Sequence, residues 1–228
     1  MLDNIPELIE KALIFGIFIY SVVLHEIAHG YAAFKAGDNT AYLLGRLSLN
    51  PLKHLDWFYT VILPLMLYFT VGLIFGAAKP VPVNPNRYRN YVRDDLMVSS
   101  AGVMVNFFLA FFFVMLIHGI VFLAKDPAGK LSASALTAVY VAYWSAIINV
   151  FLGVFNLIPI PPLDGSHIFK YLLPLQLRAR YLSIGFMGLV IVGVLLYTGI
   201  FDKLFLWSLE SFLKICMLDK DILRQALN

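Results

Sequence analysis

His25-Glu26-Ile27-Ala28-His29 decides how this chain is read. The five residues lie late in an apolar run from Ala12 to Ala36, and the stretch before them, Ala12 to Leu24, carries no charge. A helix turns about 100° and rises about 1.5 Å per residue, so His25 and His29 sit roughly 40° and 6 Å apart on one face. Two imidazoles placed like that can grip one zinc ion. Glu26 projects beside the same face, free to take a proton from water at the metal without being a ligand. On a solvated helix this spacing can arise by chance. Inside a membrane segment an ionisable group costs several kcal/mol unless it is paired or ligated, and the apolar flank favours ligation.

Composition extends that reading to the whole chain. Of 228 residues, 61% are hydrophobic and 14% charged, with mean hydropathy +0.81. These values describe an integral membrane protein embedded in a lipid bilayer, not a soluble domain. The expected fold is an all-α polytopic membrane protein with about 4–6 transmembrane or re-entrant helices and short extended segments near the site. Cys216 is the single cysteine, so a disulfide framework and a thiolate metal site are both excluded. The net charge of +3 is scattered, which leaves no nucleic-acid footprint. The first apolar run lacks a basic lead and a small-residue cleavage site, and it carries the histidines, so it is expected to be a retained helix.

Asn4 and Pro6 fit the start of that helix, and Gly37-Asp38-Asn39 its end at Ala36. Leu43 to Leu49 alternates loosely before Pro51 and predicts an extended segment. Trp57 to Ala78 is uncharged and interrupted by Pro64. In Lys79-Pro80-Val81-Pro82-Val83-Asn84-Pro85 the alternating prolines remove N–H groups from one edge, and Val81 and Val83 keep theirs on the other. Leu96 to Ala124 and Leu131 to Ile158 are long uncharged runs; the first opens on Ser99, Ser100, Ala101 and Gly102, small enough for close helix contact. Tyr181 to Phe201 predicts a further span, and residues 202–228 an amphipathic tail at the interface. The chain is expected to form one membrane domain over 1–228.

Two histidines leave a catalytic zinc one protein ligand short. Asp164 is the candidate, since Pro159, Pro161 and Pro162 unwind the chain just before it, at a depth where irregular backbone must be buried or line a wet cavity. The alternative is that Asp164 merely caps a helix beginning at Gly165. Here the chain closely resembles the site-2 protease family of intramembrane zinc metalloproteases, in its compact bacterial form without appended domains. The resemblance rests on HEIAHG at 25–30, NLIPIPPLDG at 156–165, AGVMVN at 101–106, and GRLSLNPLKHLD at 45–56 with AKPVPVNP at 78–85. It departs at Val103 and Trp57, where the family commonly has proline.

The resemblance implies one zinc per chain on His25, His29 and Asp164, with Glu26 as catalytic base. It also implies that Asn156 and Asn106 position the substrate or line the site, and that the substrate is a transmembrane protein in a bacterial cell membrane. His167, three residues past Asp164, is a candidate to orient a ligand. His54 is read as a solvated interfacial residue, and His118 as a hydrogen-bond partner of a neighbouring helix. The rival reading is a catalytically silent zinc-binding membrane scaffold, against which Glu26 argues, because a base has no purpose without hydrolysis.

Topology adds a constraint. If every apolar run crossed the membrane, the HEIAH end and Asp164 would face opposite sides, unless both half-sites sit near the midplane. If 57–78 dips in and returns instead, the connections 35–56, 77–95 and 159–180 share one side and, leaving the tail 202–228 aside, carry ten Lys and Arg against three on the other. Basic residues mark the cytoplasmic side, so this division puts both half-sites there.

Overall fold

The computed structural model describes residues 5–56, 62, 79–124, 130–185 and 187–218. Helix α1, Ile5–Ala36, opens with an exposed Glu7–Lys11 pair at helical i,i+4 spacing and stops where Gly37 takes φ +110°. That left-handed turn lets Asp38 N–H return to the Ala33 carbonyl at 2.9 Å. Asp38 then organises the loop beyond it: its buried carboxylate accepts the Thr40 amide and hydroxyl and the Asn84 amide. Burial raises the Asp38 pKa, but these hydrogen bonds and the nearby Arg87 outweigh it and hold the carboxyl below its ordinary range. A depressed carboxylate stabilises the fold at neutral pH, and that contribution disappears as acidification protonates it.

Held by Asp38, Thr40–Leu43 closes into one helical turn, α2, instead of entering an extended segment. A turn at Gly45 (φ +63°) and a 3-10 turn at Pro51–His54, capped by the Asn50 side chain, complete the loop. The expected extended segment at Leu43–Leu49 is therefore absent, and no strand occurs among the described residues. His54 is also unlike its expectation. The 3-10 turn folds it beneath the loop, where it is buried with Nε2 2.8 Å from the Ser48 carbonyl.

Helix α3, Tyr91–Ala124, begins before the uncharged run because Asn90 and Asp94 cap each other: Asn90 accepts the Arg93 amide, and Asp94 accepts the Asn90 amide. Helix α4, Ala133–Asn156, starts at the Ser132 cap and ends where the prolines begin. Beyond them lie α5 (Asp164–Phe169), α6 (Leu175–Leu182), α7 (Met187–Tyr197) and α8 (Ile200–Ile215). The run Tyr181 to Phe201 is thus not one straight span; α6 and α7 meet at 77°. Among the described residues, three helices, α1, α3 and α4, are long and apolar enough to cross a membrane, or four spans if α6 with α7 counts as one.

The beginning of the expected amphipathic tail is part of the core. Phe201 and Phe205 of α8 pack edge-on against Phe151 of α4, and His118 of α3 donates to the Cys216 carbonyl just past α8. Residues 219–228 lie outside the described residues.

Side-chain pairs give the helix directions. His25 meets Asn106 and His29 meets Val98, so α1 and α3 run antiparallel. Asn106 meets Asn149, and Ile117 packs with Val139, so α3 and α4 are antiparallel as well. Glu10 meets Thr137 and Ser21 meets Asn149, so α1 and α4 run in parallel. The end of α1, the start of α3 and the end of α4 therefore share one face of the bundle, and Arg89 N–H donates to the Ala36 carbonyl across it. Residues 37 and 90 therefore stand at the same face. The re-entrant reading of 57–78 itself lies outside the described residues, apart from Ile62.

Candidate active site

The bundle brings the two half-sites to one point. His25 Nε2 and His29 Nε2 are 3.1 Å apart, and Asp164 Oδ2 lies 3.2 Å from the first and 3.1 Å from the second. Asp164 is the first residue of α5, whose cap position is Leu163 without a side-chain bond, so its carboxylate caps nothing. Oδ2 is buried and accepts no hydrogen bond.

The far ring nitrogens explain what the near ones offer. His29 Nδ1 is 2.7 Å from the Val98 carbonyl, which can only accept, so Nδ1 carries the proton. His25 Nδ1 is 2.6 Å from Asn106 Oδ1 and donates to it. Each neutral ring then presents a bare lone pair at Nε2. Three lone-pair atoms facing one another in a buried site repel unless a cation sits among them. Ligands about 2.0–2.1 Å from a tetrahedral zinc stand ~3.3 Å apart, close to the separations seen here. The donor set, two imidazoles and a carboxylate, fits a catalytic zinc.

Close approach of α3 makes the convergence possible. A Cβ at Gly102 would stand 2.5 Å from His25 Cε1, His25 Nε2 and His29 Nε2. Gly30, next after the motif, admits the segment that covers the site: a Cβ there would meet Leu47 Cδ2 at 2.6 Å and Val81 Cγ1 at 2.7 Å. That segment is the proline-alternating stretch 79–84. Val81 N–H donates to Glu26 Oε2 at 2.8 Å, and Asn84 N–H to Asp38 Oδ2 at 2.6 Å, so it is pinned at both ends over Glu26. Oε1 of Glu26 has no hydrogen-bond partner among the described residues.

Helix α5 is anchored by a buried ion pair. Lys170 Nζ is 2.6 Å from Asp95 Oδ2 of α3, and Tyr171 donates to the same oxygen at 2.8 Å. The three residues fix the chain after Asp164 to the helix that carries Gly102 and Asn106.

Other expected site residues fall differently. Asn106 does not line open space; it lies fully buried under His25 and donates from Nδ2 to Asn149. The Asn156 amide turns back on its own helix to the Leu152 carbonyl at 2.9 Å. His167 makes no hydrogen bond to a ligand among the described residues. The sequence reading missed Asn149, Ser21 and the Asp95–Lys170 pair. For Ser21 and Asn149 the available signal is a polar residue inside an apolar run; Asp95 and Lys170 lie in charged connections, where the sequence offers none.

The chain is also similar to known proteins. Residues 117–196 match the model of Peptidase family M50. The chain is 36% identical over 207 residues to the Bacillus subtilis (strain 168) protein named "Putative zinc metalloprotease YwhC", covering 86% of this chain and 87% of that one. It is 29% identical over 200 residues to "Putative zinc metalloprotease Rip2" of Mycolicibacterium smegmatis, covering 85% and 70%. It is 30% identical over 139 residues to "Putative zinc metalloprotease MJ0611" of Methanocaldococcus jannaschii, covering 58% and 60%. No solved structure matches significantly. Because its identity with YwhC extends over most of both proteins, the chain belongs to peptidase family M50, the site-2 protease family of zinc metalloproteases.

Proposed function

We propose that this protein hydrolyses peptide bonds within or beside transmembrane segments of membrane-protein substrates. One zinc ion per chain is held by His25, His29 and Asp164, and Glu26 is the base. The observation that carries the reading is the convergence of two imidazole nitrogens and a carboxylate oxygen inside a bundle of apolar spans, with a second carboxylate next to them. Zinc there supplies a Lewis acid that makes water nucleophilic near neutral pH and polarises the scissile carbonyl.

The chain's own residues do the rest. Glu26, held at Oε2 by the Val81 amide, keeps Oε1 for the proton of the attacking water and returns that proton to the leaving amine. A transmembrane helix hides its amides in internal hydrogen bonds, so the substrate must unwind first. Metal analysis of the purified protein with cleavage of a model transmembrane substrate tests the reading: one zinc per chain and cleavage that stops on chelation support it, and an inert, metal-free protein rejects it.

Residues 79–84 offer the receiving edge. Val81 has already given its amide to Glu26, which removes half of the edge expected from the sequence. Val83 N–H has no partner among the described residues, and in extended chain it faces the same side as that of Val81. An unwound substrate strand adds there by β-augmentation, next to Glu26. Val83→Pro is expected to slow cleavage about 10-fold or more with zinc content unchanged, since one strand hydrogen bond to the substrate is lost. Wild-type cleavage by that variant would reject the edge.

The shared face of the bundle is assigned to the cytoplasm, because, leaving the tail 202–228 aside, the connections on it hold ten basic residues against three opposite. Single cysteines at Asn39 and Asn86 are expected to react with a membrane-impermeant maleimide only after the cells are opened; reaction in intact cells would reverse the orientation.

A further inference from the structure

The hydrogen bonds beneath His25 form a chain whose direction is set at its far end. Asn149 Nδ2 lies 2.9 Å from the Ser145 carbonyl and 2.9 Å from Ser21 Oγ, and the Ser21 hydroxyl donates to the Ile17 carbonyl at 2.8 Å. Backbone carbonyls only accept, so the atom of Asn149 that faces Ser145 is its nitrogen, and its oxygen is turned to Asn106. Asn106 Nδ2 then donates to that oxygen at 3.1 Å, which turns Asn106 Oδ1 toward His25 Nδ1 at 2.6 Å. An amide oxygen has no proton to give. Nδ1 must therefore carry one, and Nε2 is left bare toward His29 and Asp164.

The opposite orientation of Asn106 would have the opposite result. Its NH2 group would face Nδ1, the neutral ring would move its proton to Nε2, and that proton would occupy the position where a metal binds. Ser21, Asn106, Ser145 and Asn149 are each at most 2% exposed, so bulk water does not compete for these bonds. The chain links α1 to α4, α4 to α3, and α3 back to α1 one turn beyond Ser21.

We propose that Asn149, fixed by the Ser145 carbonyl and Ser21, is a positioning residue that sets the Asn106 amide and through it the His25 tautomer able to ligate zinc. The inference rests on the reading of His25 as a zinc ligand. Asn149 touches neither metal nor substrate; it acts two hydrogen bonds away.

The test uses full-length protein in detergent with two variants. Asn149→Leu keeps the volume and removes the acceptor. Asn149→Asp, a neutral acid when buried, still accepts from Asn106 and donates to Ser145. Zinc affinity, read by competition with a chromophoric chelator, is expected to fall about 10–100-fold in Asn149→Leu and to stay within about 3-fold of wild type in Asn149→Asp. Nitrogen-15 spectra of labelled histidines in the metal-free protein are expected to show a proton on His25 Nδ1 in wild type, whatever Nε2 then carries, and a bare Nδ1 in Asn149→Leu.

Wild-type affinity and tautomer in Asn149→Leu would overturn the proposal. So would equal loss of zinc in both variants with an unchanged tautomer, which marks a packing role. If Asn149→Leu does not fold, the wild-type spectrum decides, because a His25 without a proton on Nδ1 overturns the assignment. If wild type binds no zinc, the ligand reading fails, and the two tautomers still judge the role of Asn149.

Discussion

Glu26→Gln is expected to retain one zinc ion per chain and to lose proteolysis, its cleavage rate falling by about 10²–10⁴-fold. The substitution is nearly isosteric. Its carboxamide oxygen can still accept the Val81 amide, so the covering segment 79–84 keeps its anchor at Asn84 and its contact at position 26. The three atoms that converge on one point belong to His25, His29 and Asp164, and none is altered. Only the ability to take up a proton is removed. Metal content by atomic absorption and cleavage of a model transmembrane substrate check the two halves separately. Retained activity would show that Glu26 is not the base, and loss of zinc would show that the substitution acts through the ligands instead.

Gly102→Ala is the second large effect. The new Cβ would stand 2.5 Å from both Nε2 atoms, closer than non-bonded carbon and nitrogen approach, so the imidazoles must move by several tenths of an ångström or more. Ligand sites tolerate about 0.5 Å of displacement before function suffers. Zinc affinity is expected to fall about 100-fold or more, exceeding what loss of an outer hydrogen-bond partner costs. Alanine is the better helix former by about 1 kcal/mol, so α3 itself is not weakened by the change. Gly119→Ala, on the same helix with nothing within 4 Å of the new methyl, is the control and is expected to bind zinc like wild type. Equal zinc affinity in the two variants would contradict the close approach of α3 to the histidines.

Much of the architecture was legible because the solvent of this protein is lipid. Long uncharged runs can only be helices when no water is present to satisfy the backbone, and α1, α3 and α4 follow them to within a few residues. The ends were less legible. Helix α3 begins at Tyr91 instead of Leu96 because Asn90 and Asp94 exchange hydrogen bonds, a local cap that outweighs the charges around it. Tyr181 to Phe201 read as one span for want of a charge, but hydropathy does not record the bend between α6 and α7. The loop position of His54 predicts solvent exposure, whereas the 3-10 turn at Pro51–His54 buries it.

The sequence alone determined the membrane class, the helical spacing of His25 and His29, the position of Glu26 between them and the unwound approach to Asp164. These features depend on composition and on neighbours within a few residues. Only the tertiary structure decided that Asp164 reaches the imidazoles and is no helix cap, that Gly102 gives them room, that Val81 holds Glu26, and that Asn106 and Asn149 lie beneath His25. Each of those depends on the parallel and antiparallel packing of helices far apart in the chain. Periodicity within one helix carries no information about which partner meets its polar face.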